Sequence, residues 1–170
     1  MKFFLIGLPG SGKTTLGRKL ASALKLPFVD LDAEIEKRAT ISTQLIFKKF
    51  GEPYFREVES SELKAWCHRD GSFVMATGGG TPCFFDNMDV IRQAGKSIFI
   101  DVSASEIARR IKMSEKSERP LFSNVHKDNM KDRIEFMRSQ RLPFYKQAHH
   151  TIQGDSIDSE SILSVLQGES

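Results

Sequence analysis

Short apolar runs alternate with stretches of helical periodicity along this chain. Phe3-Phe4-Leu5-Ile6 reads as a buried strand, and Leu16, Leu20 and Leu24 recur every four residues in the helix that starts at Lys13. Pro27-Phe28-Val29 leads into Asp30-Leu31-Asp32, a second strand ending in carboxylates, with Asp32 placed to cap a helix through Ala33-Glu34-Ile35. Ser42 can cap the next helix, which carries Leu45, Ile46, Lys49 and Phe50 and stops at Gly51. Pro53 opens a longer one whose apolar face is Phe55, Val58, Leu63 and Trp66. Ser72 to Ala76 and Ser97 to Val102 read as the third and fourth strands, and His149 to Ile152 as the fifth. Helices are expected from about Ser105 to Ile111, from about Lys127 to Arg141 and from Ile157 to Leu166. Residues 112–124 are polar and charged, the signature of a mobile loop. Alternating strands and helices predict a five-stranded parallel sheet with helices on both faces, a three-layer α/β/α fold.

The first strand runs straight into Gly7-Leu8-Pro9-Gly10-Ser11-Gly12-Lys13-Thr14, which fits the phosphate-loop pattern G-x-x-x-x-G-K-T in its required setting of strand, glycine-rich loop and helix. Glycines let backbone N–H groups turn inward around phosphates, and the helix start adds a partial positive charge. Lys13 can reach the outer phosphates, and the Thr14 hydroxyl can ligate Mg²⁺. In such sheets ligands sit beyond the carboxyl ends of the strands. The phosphate loop, Asp30 with Asp32, and Gly78-Gly79-Gly80 each follow a strand, so all three are expected to line one crevice.

Composition narrows the picture. The length of 170 residues suits one domain, and 39% hydrophobic with 28% charged residues suits a soluble globular protein. A formal charge of +3 with dispersed basic residues does not point to nucleic acid. Cys67 and Cys83 form neither a disulfide framework nor a metal pattern, which makes a reducing compartment the default. Met1 to Ile6 looks like a signal peptide, but its apolar run is short and lacks a cleavage site, so a core strand is the better reading. No run approaches the roughly 20 apolar residues of a membrane span, and a cytoplasmic location is expected.

Further candidate chemistry surrounds the loop. Asp30 and Asp32, alternating across a strand end, can serve Mg²⁺ and a substrate hydroxyl, or can be a solvated terminus with a helix cap. Arg56 and Glu59 share a helix face; Glu59 can hold the guanidinium for gripping a carboxylate, or the two can form a surface ion pair. Three consecutive glycines either admit a ligand to the backbone or make a flexible turn. Arg119-Pro120-Leu121 lies in the polar loop, where an arginine can close over a triphosphate. Arg138 and Arg141 share a helix face that can also be a solvated basic one. Arg141 precedes Pro143, where the helix is expected to end.

Taken together these residues resemble the shikimate kinase family, within the nucleoside-monophosphate-kinase-like P-loop group. The resemblance spans nearly the whole chain in the family's order: the phosphate loop, Asp30-Leu31-Asp32, Phe55-Arg56-x-x-Glu59, Gly78-Gly79-Gly80, Arg119-Pro120-Leu121 and Arg141-x-Pro143-x-Tyr145. It implies a single P-loop kinase domain over residues 1–170, with a substrate-binding insertion at about 31–63 and a lid at about 112–124. It implies ATP-dependent phosphorylation of the shikimate 3-hydroxyl, with Mg²⁺. Gly10, Ser11, Gly12, Lys13, Thr14, Thr15, Arg110 and Arg119 would bind ATP, and Asp30 would reach the metal through water. Asp32, Arg56, Glu59, Gly78, Gly79, Gly80, Arg141, Phe47 and Phe55 would bind shikimate. Lys13, Asp32 and Arg119 would be the catalytic residues. The implied partners are shikimate and ATP, with no nucleic acid and no membrane, and the expected state is a monomer. Two other functions share part of this pattern. A gluconate-kinase-like enzyme would keep the ATP half, but Phe-Arg-x-x-Glu with the triple glycine favours shikimate. A catalytically silent nucleotide-binding regulator would need a broken catalytic set, and this set is intact.

Overall fold

The computed structural model describes residues 1–114 and 129–168. Five parallel strands form one sheet in the order β2-β3-β1-β4-β5: β1 (Lys2–Ile6), β2 (Phe28–Asp30), β3 (Phe73–Ala76), β4 (Lys96–Asp101) and β5 (His150–Gln153). The central strands are buried nearly end to end, which explains why they read as continuous apolar runs rather than alternating ones. From β1 the chain crosses to β2 and β3 on one side and later to β4 and β5 on the other. The carboxyl end of β1 is therefore the point where the connections diverge, and a ligand crevice opens there. The phosphate loop leaves from that end. Among the described residues no helix is long and apolar enough to cross a membrane.

Helix α1 (Lys13–Leu24) starts directly from the loop. Its cap is Gly12, whose φ of 90° is left-handed and would strain any side chain. Helix α2 (Leu31–Ala39) is capped by Asp30, whose carboxylate accepts from the Ala33 N–H at 3.2 Å, and not by Asp32 as expected from sequence. The strand ends at Asp30, so Asp32 sits in the first helical turn instead of alternating across a strand. Helix α3 (Thr43–His68) is capped by Ser42 and kinked at Gly51, with φ of 82° inside it, so its two halves match the expected break before Pro53.

A turn at Thr81–Cys83 and helix α4 (Asn87–Ala94) lie between β3 and β4, and both were missed in the sequence reading. The signal for α4 is short: Met88 and Ile91 are buried three apart, and Gly95 ends it. Helix α5 (Ala104–Met113) runs from the Ser103 cap past the expected end at Ile111 into the segment read as a lid. Residues 115–124 of that segment, Arg119 among them, lie outside the described residues. Helix α6 (Met130–Tyr145) runs two residues past Pro143, where the proline was expected to end it. The reason is tertiary: Tyr145 at its end is fully buried, stacks near Phe99 with ring centres 5.0 Å apart and donates its hydroxyl to the Gly79 carbonyl at 2.6 Å. Helix α7 (Ser159–Gln167) closes the fold beside α1.

The Tyr145 contact is the tie between α6 and the glycine turn. Tyr145→Phe keeps the ring and removes that hydrogen bond, which is expected to cost about 1–2 kcal/mol and lower the melting temperature by several degrees. Thermal denaturation checks this; an unchanged melting temperature would show that the hydroxyl does not hold the turn.

Candidate active site

The crevice at the end of β1 holds a cavity of about 350 Å³. Its lining brings together Gly10, Gly12, Lys13, Thr14 and Thr15 from the phosphate loop and α1, Asp30 and Asp32 from the β2–α2 corner, Phe47, Phe55, Arg56 and Glu59 from α3, and Gly78, Gly79 and Gly80 after β3. These are the groups that the strand-end rule placed in one crevice. Pro9, Thr43 and Thr77 also line it and were not singled out from sequence. Thr77 directly precedes the glycines and donates to the Leu5 carbonyl at 3.1 Å, tying β3 to β1 just under the cavity. Thr43 is tied to Glu36 through its N–H and its hydroxyl.

On the phosphate side, Lys13 is buried and donates to the carbonyls of Gly7 at 2.9 Å and Leu8 at 2.8 Å. Ser11, also buried, closes the loop with its N–H on the Leu8 carbonyl at 3.2 Å. Thr14 donates to Asp30 Oδ2 at 3.0 Å. These two hard oxygen donors meet beside the loop, the chemistry a small divalent cation needs when phosphates and water complete its shell. Arg110 was expected near a nucleotide, and it spans the loop's edge. It donates to the Gly10 carbonyl at 3.3 Å and the Asp155 carbonyl at 2.9 Å, while Glu106 holds its Nε at 3.0 Å. The paired arginines Arg109 and Arg110 hold the Glu106 carboxyl down at about 2.

The opposite side is built on a buried ion pair. Arg56 is 4% exposed and Glu59 fully buried, and they meet at 2.8 Å, so this is no surface pair. Glu52 bonds the outer edge of the same guanidinium at 3.1 Å. Phe84 lies against the guanidinium, 4.3 Å from ring centre to carbon, with Phe55 at 5.3 Å and Phe47 at 5.9 Å. None of Gly78, Gly79 and Gly80 has a left-handed φ. Space is what they supply: a Cβ on Gly80 would overlap the Arg56 guanidinium, and one on Gly78 would stand 2.9 Å from Glu59 Oε2. The triple glycine is thus neither a flexible turn nor solely a ligand approach, because it also makes room for the ion pair beneath.

Arg141 does not line the cavity. Its Nη1 is buried and has no hydrogen-bond partner among the described residues. Its charge acts on Cys83 and Tyr145, as does that of Arg56. Burial pushes the Cys83 thiol up to about 11 against these fields, which leaves it a poor nucleophile.

Asp32 is the perturbed acid of the site. Burial, then the charges of Glu59 and Asp30, push its carboxyl up to about 7, with Lys13 opposing. The folded protein therefore holds this proton more tightly than the unfolded chain does between about pH 4 and 7. The stability it contributes is full below about pH 4 and is lost as pH rises through 7, at about 1.4 kcal/mol per pKa unit. Asp32→Asn removes the charge. The metal- and ligand-free variant is expected to melt several degrees above the parent at pH 8, with the gain shrinking towards pH 5. Melting curves at the two pH values decide; an equal difference at both would show that Asp32 is not perturbed.

Comparisons with known proteins agree with this geometry. The family model for shikimate kinase matches residues 9–168. A shikimate kinase of Phocaeicola vulgatus is 40% identical over 162 residues, covering 94% of this chain and 90% of its own. The crystal structure of a shikimate kinase from Bacteroides thetaiotaomicron superposes with a TM-score of 0.90 at 35% identity, covering 99% of this chain and 97% of that one. A shikimate kinase from Acinetobacter baumannii, solved in complex with shikimate, also gives 0.90, at 29% identity and 99% and 94% coverage. With a family model spanning almost all of its length and a cavity that joins a phosphate loop to a buried arginine, the chain belongs to the shikimate kinase family.

Proposed function

We propose that the chain transfers the γ-phosphoryl group of ATP to the 3-hydroxyl of shikimate, giving 3-phosphoshikimate and ADP. One observation carries the reading: a single cavity is lined at once by the phosphate loop, by a perturbed carboxyl and by a preorganised arginine. The relative solved with shikimate supports that acid as the substrate.

Each residue then has a role drawn from its surroundings. The loop N–H groups of Gly10 to Thr15 and the start of α1 cradle the phosphates. Lys13 exchanges its bonds to the Gly7 and Leu8 carbonyls for the outer phosphate, which needs only rotation of an ammonium already at the loop. Thr14 and, through water, Asp30 hold Mg²⁺, which when bound neutralises charge on the phosphates. Arg110 borders the nucleotide, and Arg119 serves as the lid arginine by the family's pattern. At the other end Arg56 grips the shikimate carboxylate, and Arg141, which does not line the cavity, is assigned to it by the family's pattern alone. Phe47 and Phe55 flank the ring, and Gly79 and Gly80 present backbone to it. Asp32 orients the hydroxyls. As the 3-oxygen attacks the γ-phosphorus and the bond to the β-phosphate oxygen breaks, Asp32 takes the hydroxyl proton. A carboxyl titrating near 7 suits that exchange at neutral pH. A monomeric state and a cytoplasmic location belong to the same proposal.

The direct test is ADP release with shikimate, gluconate and AMP offered separately. Turnover with shikimate alone is expected. Equal or faster turnover with either of the others would replace the substrate, and no turnover with any would leave a nucleotide-binding regulator.

Two variants assign the halves of the site. Lys13→Met is expected to lower kcat about 100-fold or more, because the lost charge acts on the phosphoryl group in transfer. Retention of more than about a tenth of kcat, on the same scale, would remove Lys13 from that role. Arg56→Lys keeps the charge but loses the planar fork, so the shikimate KM is expected to rise about tenfold with the ATP KM nearly unchanged. Steady-state kinetics with each substrate varied in turn measures both, and equal weakening of the two substrates would contradict the placement of Arg56.

A further inference from the structure

Glu59 has two carboxylate oxygens, and only one faces Arg56. The pair is buried, so the second oxygen must find a donor or its desolvation counts against the fold. The donor is Thr81, whose hydroxyl reaches Glu59 Oε2 at 2.7 Å. Thr81 is fully buried and is itself fixed from two sides. Its N–H donates to the Gly78 carbonyl at 3.2 Å, and its carbonyl accepts from the Asn87 side-chain amide at 2.9 Å. The Asn87 amide oxygen in turn accepts from Ser60 at 2.6 Å, and Ser60 follows Glu59 on α3. The result is a closed ring of buried hydrogen bonds from α3 through Thr81 to the start of α4 and back. The only hydrogen that Thr81 can donate from its side chain is committed to Glu59.

We infer that Thr81 is a positioning residue for the substrate: its hydroxyl pins Glu59 so that the guanidinium N–H groups of Arg56 not engaged by Glu52 and Glu59 are left for a carboxylate in the cavity. Without that hydroxyl, Glu59 Oε2 has an unmet acceptor, and the Arg56 guanidinium is a strong donor already bonded to the other oxygen. The carboxylate then turns both oxygens onto the arginine and competes with the substrate for it. Gly78 leaves the space in which this swing occurs, since a Cβ there would stand 3.0 Å from the Thr81 hydroxyl and 2.9 Å from Glu59 Oε2. The inference rests on the reading that Arg56 takes the shikimate carboxylate.

The test compares Thr81→Val, Thr81→Ala and Thr81→Ser with the parent, using shikimate, ATP and shikimate methyl ester, which lacks the carboxylate charge. Loss of one charge-assisted hydrogen bond is expected to raise the shikimate KM about tenfold in the Val and Ala variants. The ATP KM and the kcat/KM for the methyl ester are expected to stay within about twofold, and Ser to remain within about threefold of the parent, because the hydroxyl is what matters. If Val does not fold, the difference between Ala and Ser isolates the hydroxyl. An unchanged shikimate KM would overturn the inference, as would parallel losses for all three substrates or a Ser variant as impaired as Ala. A parent enzyme that uses the methyl ester as well as shikimate would instead overturn the reading of Arg56 itself, whatever the Thr81 variants do.

Discussion

A buried carboxylate, Glu59, is the constraint around which the α3 side of the cavity is arranged. A buried charge is tolerable only if it is paired and its remaining lone pairs are met. Arg56 supplies the pairing from the same helix and Thr81 the hydrogen bond, and the second depends on the turn after β3 coming close enough to reach α3. That turn can come close only because Gly78 and Gly80 carry no side chain. Tyr145 on α6 holds the same turn from the other side through the Gly79 carbonyl. Three elements distant in sequence thus meet at one charge. The same charge, next after burial itself, drives Asp32 up to about 7, so the electrostatics of the pair extend to the acid that faces the cavity.

The phosphate side follows a different logic, in which backbone geometry matters more than buried charge. β1 is the middle strand, with β2 and β3 laid down on one side of it and β4 and β5 on the other. The loop after β1 therefore sits at the open centre of the carboxyl edge, with the N-terminus of α1 pointing at it. Arg110 ties this loop to the segment after β5, so the two walls of the nucleotide side are joined by one guanidinium held in place by Glu106. Thr14 and Asp30 join it to the β2–α2 corner. The phosphate loop and the buried pair share one cavity, which is why a phosphate donor and a small acid can be held side by side.

Much of this was legible in the residues. Continuous apolar runs separated by helical repeats dictate a parallel sheet, because only strands covered on both faces lose the polar alternation. The phosphate loop is legible because its chemistry demands particular residues at fixed spacing within one short segment. Gly51 and Pro53 announced the kink in α3 for the same local reason. The β2–α2 corner was less legible. Either aspartate could cap α2, and only the point where β2 stops pairing with β3 decides that Asp30 does so and leaves Asp32 for the cavity.

What the sequence determined by itself is therefore what local physics determines: the class of fold, the phosphate loop and the run of elements. Tertiary structure alone decided which charges lie in water and which do not. Arg56-x-x-Glu59 taken alone reads as a surface pair, since the spacing on the helix carries no sign of burial. The covering that buries it comes from Phe84, the glycine turn and the missed helix α4, whose Asn87 completes the ring through Thr81. Pro143 is the converse case. Local sterics favour a stop there, yet burying the Tyr145 ring carries the helix on to that residue, because the free energy of that contact is counted over the whole fold and not along the chain.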